Sequence, residues 1–166
     1  MVGSTRNEED RALVESLRDF TASLAMKKNV AFVVNAPFDE LYAWLCCAQV
    51  GIHTMWNEHF GISVVEMMAA GLVTVAHDSG GPKLDLISPV PMPHNESTRT
   101  VLPADPACTT GYLATTAPQY AQCIHMALDT YDDSLTLRQR ARKSSLRFSD
   151  EVFTRSILQI FTKIVM

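Results

Sequence analysis

Short apolar runs alternate with helix-patterned segments through the first half of this chain, and that alternation is the strongest constraint on its fold. Val30–Val34, Gln49–Thr54 and Leu72–Ala76 are too short for helices and are bounded by turn-forming residues, so they read as strands. Between them, Asp39–Ala48 and Ile62–Ala70 read as helices, the first opened by Asp39 and Glu40 and the second closed by Gly71. Upstream, Leu13, Leu17, Phe20 and Leu24 fall at near-helical spacing within Glu8–Met26, and Asn29 marks the end of that segment. A β-α-β-α-β order predicts a parallel sheet with right-handed crossovers and flanking helices, which is an α/β, Rossmann-like fold. Ligands of such sheets sit beyond the carboxyl ends of the strands. Both Glu58 and Gly80 fall there.

The run Asn57-Glu58-His59-Phe60-Gly61-Ile62-Ser63-Val64-Val65-Glu66 carries two carboxylates across a strand-to-helix turn. A helix N-terminus offers unpaired N–H groups and a positive dipole end, which favour an anion such as a diphosphate. Gly61 lets the chain approach a ligand closely. Glu66, about one turn into the helix, has the wrong charge for phosphate but can accept hydrogen bonds from a ribose diol. Two glutamates near a helix start are also common as dipole complements, so spacing alone does not establish a site.

Three segments together do more: Asn35-Ala36-Pro37-Phe38-Asp39-Glu40-Leu41, Gly51-Ile52-His53-Thr54-Met55-Trp56-Asn57-Glu58-His59-Phe60-Gly61, and Gly80-Gly81-Pro82-Lys83-Leu84-Asp85. They closely resemble the C-terminal domain of the retaining family-4 glycosyltransferases, the glycosyl transferases group 1. The resemblance runs from the first residues to Met166, with a gap around Pro89–Cys108, where relatives have a shorter loop. It implies most of the C-terminal, nucleotide-sugar-binding domain of a GT-B fold over residues 1–166, with a Pro-rich insertion at about 88–110 and C-terminal helices at about 117–164. The implied activity is transfer of α-1,2-linked mannose from GDP-mannose to a dolichol-diphosphate-linked oligosaccharide, on the cytosolic face of the endoplasmic reticulum membrane. No metal or other cofactor is implied. By the same resemblance, Glu58 is the catalytic candidate, and the turn through His59, Phe60 and Gly61 meets the donor sugar and diphosphate. Glu66 would hold the ribose, and Gly80 and Gly81 would shape the neighbouring loop. Such enzymes also draw an Arg and a Lys from an earlier loop, expected before Met1, and an acceptor site from an N-terminal domain.

Composition removes other classes. A chain of 166 residues is about one domain long, and 47% hydrophobic with 19% charged content is that of an ordinary globular protein. Its net charge of -4 leaves no electrostatic footprint for nucleic acid. No apolar run reaches the ~20 residues that span a bilayer, and Met1–Asp10 lacks the apolar core of a signal peptide. Cys46, Cys47, Cys108 and Cys123 show no paired C-x-x-C spacing and are expected as reduced, partly buried thiols. His53, His59 and His77 lack the i, i+4 helical spacing that would converge on a metal. An unrelated nucleotide-dependent oxidoreductase ranks last, because the chain has no G-x-G-x-x-G run. A non-catalytic nucleotide-sugar-binding module, lacking the acceptor half, stays open as the second reading.

The rest of the chain is expected to serve the fold. Ser88–Thr110 holds five of the eight prolines and reads as a surface insertion, with Asn95-Glu96-Ser97 as a glycosylation acceptor motif within it. A cytosolic placement predicts no glycan there. Gly111-Tyr112-Leu113 reads as a strand, and Pro118 opens a helix to about Thr130. Ser134–Leu146 is a basic helix whose Arg138, Arg140, Arg142, Lys143, with Arg147 beyond, are expected on a solvated face, with contact to an anionic membrane surface as the alternative. Ser149 can cap a last helix. Trp44 is expected in the core, whereas either Trp56 or Phe60 could line the donor pocket or pack beneath its loop.

Overall fold

The computed structural model describes residues 1–24, 26–90, 108–129 and 131–165. They divide into two compact units, Met1–Cys47 and Ala48–Met166. In the first unit, strand β1 (Val2–Gly3) lies parallel to β2 (Val33–Val34), with Val2 opposite Val33. Helix α1 (Glu8–Ser23) starts where the Asn7 side chain accepts the Asp10 N–H at 2.8 Å, and its acidic first turn complements the dipole. The Arg6 guanidinium, 3.0 Å from Asp10, holds that carboxyl below its ordinary value. Helix α2 (Phe38–Cys47) follows Pro37, whose carbonyl accepts from Glu40 and Leu41.

Two expectations change here. The single sheet is two separate parallel sheets, because β2 pairs with β1, a strand too short to show as an apolar run. Only Val33–Val34 of the apolar run is laddered, since Val2–Gly3 offers no more partners. Trp44 is 44% exposed and not in a core. A two-stranded sheet gives a helix too little surface to bury against, and α2 has no buried residue.

The second unit has β3 (Val50–His53), α3 (Ile62–Ala70), β4 (Val73–His77) and β5 (Gly111–Ala114), with the strands parallel in the order β3-β4-β5. The central strand is buried on both faces, as parallel sheets require. Val73 and Val75 pack with Tyr112, Cys123, Ala127 and Leu137 on one side, whereas Ala76 joins Val64, Met68, Leu86 and Ala141 on the other. His77, the last residue of β4, stands at its carboxyl edge. A π-helical turn, Pro82–Leu86, follows β4. Helices α4 (Ala117–Asp129), α5 (Tyr131–Ser145) and α6 (Asp150–Val165) complete the unit, with a 3-10 turn at Leu146–Phe148. The Ser149 hydroxyl accepts the Val152 N–H at 3.4 Å, as expected of a cap.

Residues 91–107, with Asn95 among them, lie outside the described residues. The described ends of the Pro-rich interval are tied to β5, since Val90 N–H donates to Gly111 O at 2.9 Å and Pro89 bridges Gly111. The basic residues of α5 are not simply a solvated face. Arg138 donates to Gln49 O at 3.2 Å, Arg140 to Thr109 Oγ1 at 3.2 Å and Arg142 to Ala69 O at 2.9 Å, while Arg147 beyond the helix donates to Asp85 O. Gln49 O also accepts the Val73 N–H and uses its second lone pair for Arg138, whereas Ala69 O is one of the carbonyls a helix end leaves without an intrahelical partner; the long guanidinium stems reach both. Cys46 and Cys47 are exposed, whereas Cys123 is buried and its thiol is pushed up to about 11 by that burial.

Candidate functional site

The second unit concentrates the motif residues at the carboxyl ends of β3 and β4. After His53 the chain turns through Asn57, at φ 55°, and reaches Gly61, at φ 96°, the residue before α3. Gly61 has no side chain to cap the helix, so the start of α3 is left to an external acceptor.

A second loop, after β4, grips the first one. Gly81 N–H donates to Glu58 O at 2.7 Å, and Asn57 N–H donates to the Ser79 hydroxyl oxygen at 2.8 Å. The Ser79 hydroxyl also lies 2.8 Å from His77 Nδ1. Ser79 Oγ accepts from Asn57 and can donate to, or accept a second proton from, His77 Nδ1 according to the histidine tautomer. The grip depends on the absence of side chains. A Cβ on Gly80, whose φ is 54°, would stand 2.2 Å from Glu58 O, and one on Gly81 would stand 2.4 Å from Phe60 O. The two loops therefore touch backbone to backbone.

Glu58 is fixed through its main chain and is half-buried, with 26% of its side chain exposed. Its carboxylate lies 3.8 Å from His53 Nε2. His53 O in turn accepts the Tyr120 hydroxyl of α4 at 3.1 Å. Burial pushes that phenol up to about 12, so it remains a donor at any physiological pH. On the far side of the turn, Phe60 meets Phe148 edge to face at 5.2 Å, and the Arg147 guanidinium covers the Phe148 ring at 4.5 Å. Lys83 reaches Asp78 at 3.0 Å, which leaves half of the lysine side chain exposed beside the glycine loop.

The structure thus brings Glu58, His59, Phe60, Gly61, Gly80 and Gly81 into one two-loop assembly. Glu66 stands apart from that grip, exposed on α3 beyond Gly61, where a ligand hydroxyl could reach it from solvent. Trp56 is 74% exposed, and Phe60 packs on Phe148. Sequence reading missed the parts played by Ser79, His77 and His53. Ser79 had a signal in the Ser-Gly-Gly run after an apolar strand, and His53 had one as the last residue before the loop. Among the described residues no three His, Cys, Asp or Glu side chains are grouped to hold a metal.

The family described as glycosyl transferases group 1 matches residues 1–87, which include both the Glu58 turn and the Gly80-Gly81 loop. A human relative, named GDP-Man:Man(3)GlcNAc(2)-PP-Dol alpha-1,2-mannosyltransferase, is 41% identical over 99% of this chain and 30% of its own length. The protein of the same name from Dictyostelium discoideum is 37% identical over 99% of this chain and 29% of its own. The chain thus spans about 30% of the length of these curated relatives. Among solved structures, Anabaena Alr3699/HepE in complex with UDP-glucose aligns at TM-score 0.75 and 20% identity, over 98% of this chain and 40% of that one. Sucrose-phosphate synthase from Thermosynechococcus elongatus aligns at TM-score 0.75 and 22% identity, over 99% and 37%. At such identities these neighbours establish the fold, a mixed α/β arrangement of the GT-B glycosyltransferases. With the family match spanning the site-bearing loops, the chain belongs to the glycosyl transferases group 1 family.

Proposed function

We propose that this chain is the donor-binding part of a retaining α-1,2-mannosyltransferase that takes mannose from GDP-mannose. Its acceptor is a dolichol-diphosphate-linked oligosaccharide in the assembly of an N-glycan precursor, at the cytosolic face of the endoplasmic reticulum membrane. On this reading, residues 1–166 form one partial GT-B C-terminal domain, which works with an N-terminal domain that carries the acceptor site. The observation that carries it is the grip of the Gly80-Gly81 loop on Glu58, which holds a carboxylate and an uncapped helix start side by side.

The chemistry follows from that pairing. Breaking the sugar–phosphate bond develops negative charge on the GDP oxygens, and the start of α3 supplies oriented N–H groups and a positive dipole end there. Such groups cost no reorganisation during the reaction. Lys83 is the cation next to the glycine loop and can swing from Asp78 to the diphosphate. Glu58 faces the transferred sugar as the catalytic carboxylate. His59, Phe60 and Gly61 enclose the sugar and diphosphate, and Glu66 accepts from the ribose hydroxyls. No metal ion is required in this scheme, because the helix start and the lysine answer the leaving-group charge.

Calorimetric titration with GDP-mannose, GDP, UDP-glucose and NAD tests the reading. GDP and GDP-mannose are expected to bind, with UDP-glucose at least ten-fold weaker and NAD silent. Preferential binding of NAD or UDP-glucose would overturn it.

A further inference from the structure

The carboxylate at the centre of that reading is not positioned by its main chain alone. We propose that His53 is a positioning residue for Glu58, directing the carboxylate toward the donor sugar through a proton on Nε2; the sugar assignment rests on the function proposed above. A glutamate has three rotatable bonds, so pinning its backbone at Gly81 leaves the carboxylate free to sweep an arc. His53 closes that arc from inside the unit, with 13% of its side chain exposed against 26% for Glu58.

The ring environment selects the proton position. His53 Nδ1 is buried with no hydrogen-bond partner among the described residues, while Nε2 faces Glu58 Oε2 at 3.8 Å. A proton on Nδ1 would be an orphaned buried donor, and it would leave the Nε2 lone pair directed at a carboxylate oxygen. Moving that proton to Nε2 leaves only an unpaired acceptor at Nδ1 and turns repulsion into attraction. The 3.8 Å separation is longer than a hydrogen bond, and catalytic hydrogen bonds commonly reach full strength only with substrate bound. Two further contacts hold the backbone beneath the ring: His53 pairs with Ala76 in the sheet, and its carbonyl accepts the Tyr120 hydroxyl. The main chain that carries the imidazole is thus anchored on β3 and α4, neither of which belongs to the ligand loops.

The test compares GDP and GDP-mannose affinity in the wild-type chain, Glu58→Gln, His53→Leu and His53→Gln, alongside the ring nitrogens of His53 followed by long-range 15N–1H NMR. The expected spectrum shows the ring protonated on Nε2, with the Nε2 resonance moving in Glu58→Gln. His53→Leu should weaken GDP-mannose by on the order of ten-fold, one charge-assisted hydrogen bond, and leave GDP unchanged. His53→Gln, whose amide can donate to the same oxygen, should restore most of that loss, which a purely structural role would not allow. An Nδ1-protonated ring, or His53→Leu keeping the full GDP-mannose preference that Glu58→Gln loses, overturns the proposal. Should the wild type bind neither nucleotide, the function reading fails, and the Nε2 response to Glu58→Gln still decides the pairing. If His53→Leu does not fold, rescue in His53→Gln and the same spectrum decide it.

Discussion

Gly80→Ala is the sharpest perturbation of the two-loop grip. The added Cβ would sit 2.2 Å from Glu58 O, a backbone atom that cannot rotate away, and an L-residue would be forced to φ 54°. The left-handed conformation costs about 1–2 kcal/mol, overpacking costs about 1–3, and loss of the adjoining Gly81–Glu58 hydrogen bond adds about 1. If the loops stay in place, the total is about 3–6 kcal/mol, a large share of the roughly 5–15 that stabilises a domain. If they part, the stability loss shrinks, but Glu58 moves and donor binding goes with it. Gly71→Ala is the internal control, since Gly71 has φ 83° with nothing within 4 Å of its added Cβ. It should cost only the conformational part, about 1–2 kcal/mol. Gly81→Ala isolates the steric part, because its φ of -56° is ordinary while its Cβ would stand 2.4 Å from Phe60 O. Thermal melting and GDP-mannose calorimetry on the three variants separate these outcomes. We expect Gly80→Ala to melt about 10 °C or more below wild type, or to lose donor binding at least ten-fold. A Gly80→Ala protein no less stable than Gly71→Ala, with wild-type affinity, would refute the reasoning.

Glu66→Ala should weaken GDP by about ten-fold without lowering the melting temperature, because an exposed helix residue supports no core; unchanged affinity removes it from the ribose. Thr74→Val should stabilise the second unit by about 1 kcal/mol in urea titration, since the Thr74 hydroxyl is buried without a partner among the described residues; a destabilised variant would reveal a hydrogen bond there. At pH 8 a disulfide reagent should modify Cys46 and Cys47 rapidly and Cys123 only on unfolding, because Cys123 is buried and its thiol is pushed up to about 11; rapid reaction of Cys123 in the native chain contradicts that burial. These residues alone should bind donor but not transfer mannose, since holding donor and acceptor in register is worth on the order of 7–11 kcal/mol of barrier. Equal turnover from this chain and from a longer one with an N-terminal domain would show that no second domain is needed.

What could be read from the sequence follows physical range. Helix α3 was legible to the residue, Ile62–Ala70, because Gly61 and Gly71 bracket it and both adopt positive φ. Strand β4 was legible because burial on both faces needs a continuous apolar run. By contrast, β1 has two residues and no pattern to betray it, so the pairing that divides the strands into two sheets was invisible. The arginines of α5 misled for a related reason: charge predicts solvation, but Arg138 and Arg142 bond carbonyls 89 and 73 residues away in sequence. The site divides along the same line. Glycines at Gly80 and Gly81 announced a close approach without naming its target, and only the fold shows that target to be the backbone of the Glu58 turn. The carboxylate's neighbour was hidden in plain composition, since a histidine five residues before a glutamate has no helical or strand period that would pair them. A strand end and a return loop bring His53 to Glu58, and the loop keeps its shape because a second strand's glycines press on it. The motif lettering therefore encodes the loops' contact with each other, while the electrostatic setting of the carboxylate is encoded in the sheet beneath. Substitutions at His53 in β3 and Tyr120 in α4, outside the two loops, should consequently disturb Glu58 as well as substitutions in the turn itself.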